Sequence, residues 1–152
     1  MEIKLEDIPN AIVKDLERYT EEVSGRVSSA VSDCTKIAEE KIISDSPVRQ
    51  EKYTPKSGIR RDRNNIPLKA NLQPGAYKKS WIKVVKVYDR GRTQGYVRNK
   101  TNYQLTHLLE LGHKGKYGAD KGSAPPIPHI VSNQNEARAE LDRRIKEILE
   151  GD

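Results

Sequence analysis

Asn99-Lys100-Thr101-Asn102-Tyr103-Gln104-Leu105-Thr106-His107-Leu108-Leu109-Glu110-Leu111-Gly112-His113 is the densest apolar run in a hydrophilic chain. Its spacing predicts a short helix. Leu105, Leu108 and Leu109 fall at i, i+3 and i+4 on one face, with His107 or Leu111 on the flank. Asn102 stands at the N-cap, where its side-chain oxygen can accept an unpaired N–H of the first turn. Gly112 suits the left-handed residue that closes a helix. An element so rich in leucine is expected to be buried, with the other segments packed around it. Tyr103, Leu105, Leu108, Leu109 and Gly112 are therefore expected anchors of the fold.

Upstream the period changes to two. From Tyr77, the residues Ile82, Val84, Lys86 and Tyr88 alternate with Trp81, Lys83, Val85 and Val87, so both faces of the predicted strand are partly apolar. Asp89-Arg90-Gly91-Arg92 reads as a turn and residues 94–99 as the returning strand, which makes a β-hairpin. Trp81, the only Trp, is expected as a further anchor. Downstream, residues 113–123 read as a second loop, with Lys114, Lys116 and Lys121 among Gly115, Gly118 and Gly122, and Ala124-Pro125-Pro126-Ile127-Pro128 must be extended, able to pair only at an edge. A short strand is expected at His129-Ile130-Val131. Ser132 is then the expected N-cap of a final helix with Ala137, Leu141, Ile145, Ile148 and Leu149 on one face, closed near Gly151.

Further out lies a long helical pattern. Residues 1–7 read as an extended lead, Asp7 as an N-cap and Pro9 as a first-turn residue, where its missing N–H costs nothing. Ile8, Ile12, Leu16, Tyr19, Val23, Val27, Ala30 or Val31, Cys34, Ile37 or Ala38, and Ile42 keep steps of three and four. Gly25 beside Ser24 is the expected kink or break. Two arrangements fit: a bent helix or helix pair on the sheet, or one long helix reaching neighbouring subunits. Arg26 and Lys41 interrupt any strict coiled-coil seam. Asp45-Ser46-Pro47 ends the pattern. Residues 47–74 then form a long Pro-punctuated loop carrying Arg49, Lys52, Lys56, Arg60, Arg61, Arg63 and Lys69. The whole predicts one α+β domain over residues 1–152: a long N-terminal helix, a small antiparallel sheet built on the hairpin, a short central helix and a C-terminal helix.

Composition narrows the function. Leu, Ile, Val and Phe supply 33 of 152 residues, about 22%, just above the roughly 20% below which chains tend to stay disordered. The core is expected to be thin, with parts ordering only in an assembly. No apolar run is long enough for a bilayer, no signal-peptide pattern appears, and a membrane partner is not expected. The single Cys34 allows no internal disulfide and fits a reducing cytoplasm. On the apolar stripe of a helix it reads as packing. Charge is segregated: −5 over residues 1–46, +13 over 47–131 and −2 over 132–152. A basic block of that size faces a polyanion or an acidic neighbour, or keeps loops soluble.

Chemistry has few candidates. His107, Glu110, His113 and His129 are the only residues from which a metal or acid–base cluster could be drawn. Only His107 and Glu110 share a helical spacing, so the stronger expectation is that Glu110 and the histidines bind one another or loop backbone and pin the loop to the helix. No phosphate-binding glycine loop, His-Glu-x-x-His or Gly-x-Ser-x-Gly occurs. Neither an enzyme nor a cofactor is expected. Duplex DNA remains a candidate partner through phosphate contacts by Arg49, Lys52, Lys56, Arg60, Arg61, Arg63, Lys69, Lys114, Lys116 and Lys121, without sequence readout. No helix-turn-helix, zinc-finger or basic-zipper pattern is present.

Several short motifs together resemble a known family. Gly75-Ala76-Tyr77-Lys78-Lys79-Ser80-Trp81 is similar to its threonine-glycine-aromatic-basic-small-Trp segment, with Pro74 where threonine is usual. Asn99-Lys100, Tyr103-Gln104-Leu105, His107-Leu108-Leu109-Glu110, Gly112-His113 and Pro128-His129-Ile130 follow in the family's order. The family is that of the tailed-phage head–tail connector and tail-component (neck, tail-completion) proteins named after the tenth gene product of a lambdoid coliphage, in the form common in phages of Gram-positive bacteria. The resemblance spans Pro74 to Leu149, about half of the chain. It implies a virion protein assembled in the host cytoplasm, a homo-oligomeric ring (a hexamer) at the neck. It also implies contacts with a head-completion or stopper protein on one side and a tail terminator or tube on the other, with viral DNA in the lumen. It carries over no catalytic residue.

Overall fold

The computed structural model describes residues 8–48, 74–114 and 123–151, and for Ile8, Pro9, Asn10 and Arg90 the backbone alone. Six regular elements and one turn of 3-10 helix follow in order: α1 (Ile8–Asp45), α2 (Ala76–Lys79), β1 (Trp81–Val87), the 3-10 turn Asp89–Gly91, β2 (Thr93–Asn99), α3 (Tyr103–Leu111) and α4 (Val131–Glu150). The architecture is α+β, as the periodicities predict.

The 38 residues of α1 form one helix that runs through Gly25 without a break, about 57 Å at 1.5 Å per residue. Nothing described lies within 4 Å of where a Gly25 side chain would begin, so the glycine relieves no crowding there. The two halves of α1 have different fates. Residues 12–22 are all exposed, while Ala30, Cys34, Thr35 and Ile42 are buried. The buried half lies on one face of the hairpin and along α4. Small residues at the α1–α4 crossing, Ala30, Cys34 and Ala137, let the two helices approach closely.

β1 and β2 pair antiparallel from Trp81↔Asn99 through Val85↔Gly95 to Val87↔Thr93. Directly opposed residues share a face. Trp81, Lys83, Val85 and Val87 therefore stand with Asn99, Val97, Gly95 and Thr93. This face meets α1: a Cβ on Gly95 would lie 1.9 Å from Thr35 Oγ1, and the Ser28 and Thr93 hydroxyls hydrogen-bond at 2.6 Å. α1 also reaches the sheet's backbone, since the Glu39 carboxylate accepts the Lys83 N–H at 2.7 Å. The apolar core is Ile42, Tyr77 and Trp81, with Ile43, Val97, Leu109 and Ile130 packed against it.

The leucine-rich helix is not the centre of this core. α3 contains no buried residue. Leu105 is 40% exposed, Tyr103 61% and Leu111 76%. Only Leu109 packs against the central cluster. A nine-residue helix at the end of β2 finds too little partner surface to bury three faces. The long α1 finds it along both the sheet and α4. Tyr103 and Leu105 are thus surface residues, not anchors, whereas Trp81 is buried as expected.

Local caps differ as well. Asn102 is the N-cap of α3, but its side chain makes no cap bond. It donates instead to Thr101 Oγ1 and, at the limit of bonding distance, to Ser80 Oγ. Gly112 has positive φ but extended ψ (71°, 175°), a region essentially closed to other residues and distinct from the left-handed helical cap expected. The tight approach of the Ala124–Pro126 backbone requires it, for a Cβ would lie 2.8 Å from Ala124 O. No strand forms at 129–131. Ile130 already turns into the right-handed helical region and α4 begins at Val131, one residue before the expected Ser132 cap; the short pairing nearby is a single antiparallel bridge between His113 and Ala124. Leu149 is 61% exposed and lies off the packed face of α4. Gly151 closes α4 in the left-handed conformation, its N–H donating to Glu147 O.

Candidate functional site

The motif segments that lie apart in sequence converge on one buried polar cluster. Its base is α2, a single helical turn that period-two reading had taken as strand. Gly75 enters it with φ 76°. The turn aims Tyr77 inward, so that Tyr77, Trp81 and His129 stack edge to face in a triangle, with ring centroids 5.6, 5.6 and 6.3 Å apart.

His129 is fully buried and fully engaged. Its Nδ1 lies 2.7 Å from Ile127 O, and its Nε2 lies 2.8 Å from the Tyr77 hydroxyl. A carbonyl oxygen only accepts, so Nδ1 carries a proton, and in the neutral ring Nε2 then accepts from Tyr77. Glu110 Oε2 is 3.3 Å from the same Nδ1. This carboxylate also accepts the backbone N–H groups of His129 (2.8 Å), Ile130 (3.0 Å) and Val131 (3.0 Å). A side chain from α3 thereby caps the N-terminus of α4, where negative charge is favoured by the helix dipole. Burial by itself would raise the Glu110 pKa. The three N–H groups and His129 outweigh it and hold the carboxyl below its usual range. Burial first, and then the Glu110 charge, push the Tyr77 phenol well above its ordinary value.

A second group of bonds ties the hairpin to this cluster. Ser80 Oγ lies 2.8 Å from Tyr77 O and 2.7 Å from Asn99 Oδ1. Asn99 Nδ2 donates to Tyr77 O at 3.0 Å, and Asn102 N donates to Asn99 Oδ1 at 2.7 Å. Trp81 Nε1 donates to Ser46 Oγ at 2.8 Å, and Ser46 in turn donates to Ile42 O at 2.6 Å, which terminates α1. Asn133 closes the circuit, donating to His129 O (3.0 Å) and to Asp45 Oδ2 (2.8 Å). Among the described residues no buried side-chain nitrogen or oxygen lacks a partner. Such a network locks a shape, because every group in it already has its bond.

Of the four residues weighed for metal or acid–base chemistry, the structure joins only Glu110 and His129. His107 and His113 are exposed. Among the described residues no group of three or more His, Cys, Asp or Glu could hold a metal ion. Cys34 is buried, and burial raises its thiol pKa. Lys114 is exposed at the edge of the described body. Arg49, Lys52, Lys56, Arg60, Arg61, Arg63, Lys69, Lys116 and Lys121 lie outside the described residues. Sequence reasoning passed over Tyr77, Ser80, Asn99, Asn102 and Asn133 as members of one network. Its linear traces are the motif segments 75–81 and 99–100, which contain Tyr77, Ser80 and Asn99 without showing that they meet.

Among the described residues, two open surfaces are rich in apolar side chains. An open groove of about 500 Å³ runs between α1, β2 and α4, lined by Val31, Cys34, Ala38, Val97, Ala137 and Leu141 among others. The N-terminal half of α1 presents Ile12, Val13, Leu16 and Tyr19, each between 53% and 60% exposed.

In comparisons with known proteins, no family model, no curated protein and no solved structure matches this chain.

Proposed function

We propose that this chain is a structural subunit of a tailed-phage neck, a head–tail connector or tail-completion protein that acts by assembling into a ring. The reading begins with the resemblance of residues 74–149 to that family. One observation carries it further: Tyr77, Ser80, Asn99, Glu110 and His129, all from the motif segments, are joined in one bonded network, and among the described residues no buried side-chain nitrogen or oxygen is left without a partner. Residues spent on locking a shape suit a building block. The exposed apolar stripe on α1 suits a block that binds others, since isolated soluble domains rarely display contiguous apolar surface without a partner for it. In this reading six copies form the ring, with a head-completion protein on one side and a tail terminator or tube on the other.

The test is direct. The purified chain, concentrated and viewed by negative-stain electron microscopy, should give closed rings of cyclic symmetry, and light scattering should give one discrete oligomer. A monomer at every concentration tried would sink the proposal.

A second reading has its own support. Lys79, Lys86, Arg92, Arg98, Lys100 and Lys114 are all exposed on the described body. As a stand-alone nucleic-acid-binding protein the monomer should hold duplex DNA, with affinity falling linearly on a log–log plot against salt. DNA retained only by rings would return those cations to the lumen of the neck.

A further inference from the structure

The two unmatched halves of this molecule are complementary to each other. Residues 12–22 of α1 are all exposed, and the hairpin turn first approaches the helix at Ser24, opposite Gly91. Sixteen residues from Ile8 to Val23 therefore project about 24 Å beyond the body. Their apolar residues Ile12, Leu16, Tyr19 and Val23 lie on the same helical stripe as Ala30 and Cys34 further along. In the C-terminal half that stripe is buried within the molecule. In the N-terminal half of the stripe Ile12, Leu16 and Tyr19 are exposed. Acidic residues border it: Glu17 and Glu21 line the same shallow surface as Val13 and Leu16, and Glu22 follows. Over residues 8–23 there are four acids and two bases.

The hairpin has the converse character. α1 covers the face of Gly95, so alternation places Ile82, Val84 and Lys86, opposed by Arg98, Tyr96 and Gln94, on the other face. Ile82, Val84 and Tyr96 are half-buried at its centre, while Lys86, Arg98 and Gln94 are exposed. Lys86 Nζ sits 5.9 Å from the centre of the Tyr96 ring. Residues 81–100 carry six bases and one acid. Each strand is seven residues long, about 23 Å at the usual rise, which matches the length of the projecting helix.

We infer that the projecting half of α1 in one copy lies across the outer face of the hairpin in the next, its leucine and tyrosine on Ile82, Val84 and Tyr96, its glutamates against Lys86 and Arg98. Each hairpin would then be sandwiched between its own α1 and its neighbour's. The contact joins two different patches, so it is heterologous, and such contacts close into rings when the rotation permits. It rests on the proposed self-assembly and adds which surfaces meet.

The decisive experiment mixes two full-length variants. Leu16→Glu/Tyr19→Glu spoils the helix and leaves the hairpin intact, and Lys86→Glu/Arg98→Glu does the reverse. All four positions are exposed, and circular dichroism with a thermal melt confirms that both variants fold. Each variant alone should sediment as a monomer where wild type is oligomeric. Mixed, they should form a 1:1 dimer and nothing larger, because each mixture retains one wild-type helix opposite one wild-type hairpin. Monomers that stay monomeric on mixing would overturn the pairing, as would a hairpin variant that still assembles while the helix variant does not, which indicates a symmetric helix–helix contact. An oligomer that survives in both variants would overturn the pairing while leaving the ring reading standing. A wild-type chain monomeric at all concentrations overturns both.

Discussion

At Glu110 three backbone N–H groups and an imidazole converge on one carboxylate whose side chain is 9% exposed. Hydrogen bonds to a charged acceptor contribute about 1.5–3 kcal/mol each relative to leaving the donors unpaired. Glu110→Gln keeps the shape but replaces an acceptor by an amide N–H₂ facing other donors. At pH 7 the substitution should cost about 2–3 kcal/mol, a fall of several degrees in Tm. Because the folded carboxyl titrates below the 4.5 of an unperturbed glutamate, its contribution is complete above about pH 4.5 and is lost as pH falls through the folded value. Wild type and Glu110→Gln should therefore converge in stability on acidification, as followed by urea unfolding from pH 7 to pH 3. Parallel curves would assign the acid sensitivity to other groups. Glu140, lowered to about 2 by its hydrogen bonds to Arg143 and Arg144, also titrates in acid. Its side chain is 29% exposed against 9% for Glu110, so added salt should screen more of its share than of Glu110's.

Among the elements, the seating of α1 on the hairpin is the tightest contact. Gly95 is required there by space, its Cβ position lying 1.9 Å from Thr35 Oγ1 and 3.1 Å from Val31 Cγ1. Thr35 is held by its own bond to Val31 O at 2.6 Å. Gly95→Ala should thus destabilise by about 1–3 kcal/mol through overpacking. Adding Thr35→Ala should recover part of the loss, giving a non-zero coupling in a double-mutant cycle. α3 makes the opposite case: Leu105→Ser or Leu111→Ser should change Tm by less than Leu109→Ala, which opens the core. These contrasts bear on what the sequence made legible. The hairpin and α1 were readable because period two and period 3.6 are imposed by the backbone itself, and the bends at Asp89–Gly91 and Asp45–Pro47 carry turn residues. α2 was hidden because four residues are too few to show a period. α3 was readable as a helix but not as a surface helix, since apolar density says nothing about the area a partner offers. The Tyr77–His129 bond spans 52 positions, and the Asp45–Asn133 bond 88; no linear pattern encodes such a pairing.

For the molecule as a whole, the uneven anchoring of α1 sets a dynamic expectation. From Ala30 to Asp45 the helix is held by the hairpin, by α4 and by the cross-links Asn133–Asp45 and Lys41–Glu136. From Ile8 to Val23 the bonds shown among the described residues are the helix's own hydrogen bonds and the exposed Asp15–Arg18 pair. A helix of that length without packing is marginal in water, because nucleation is costly and tertiary contact supplies most helical stability. Amide hydrogen exchange on dilute protein should therefore find fast exchange over residues 12–22 and slow exchange over 30–45, although both belong to one continuous helix. If the projecting half is the part that meets a neighbour, raising the concentration should slow exchange over residues 12–22 while leaving 30–45 nearly unchanged. The outer hairpin residues Ile82, Val84 and Tyr96 should gain protection together with them. Protection over 12–22 that is already high in dilute monomer would mean the helix needs no partner. Protection that rises there without a change at the hairpin would place the neighbour's contact on another surface, the groove between α1, β2 and α4 being the next apolar one available.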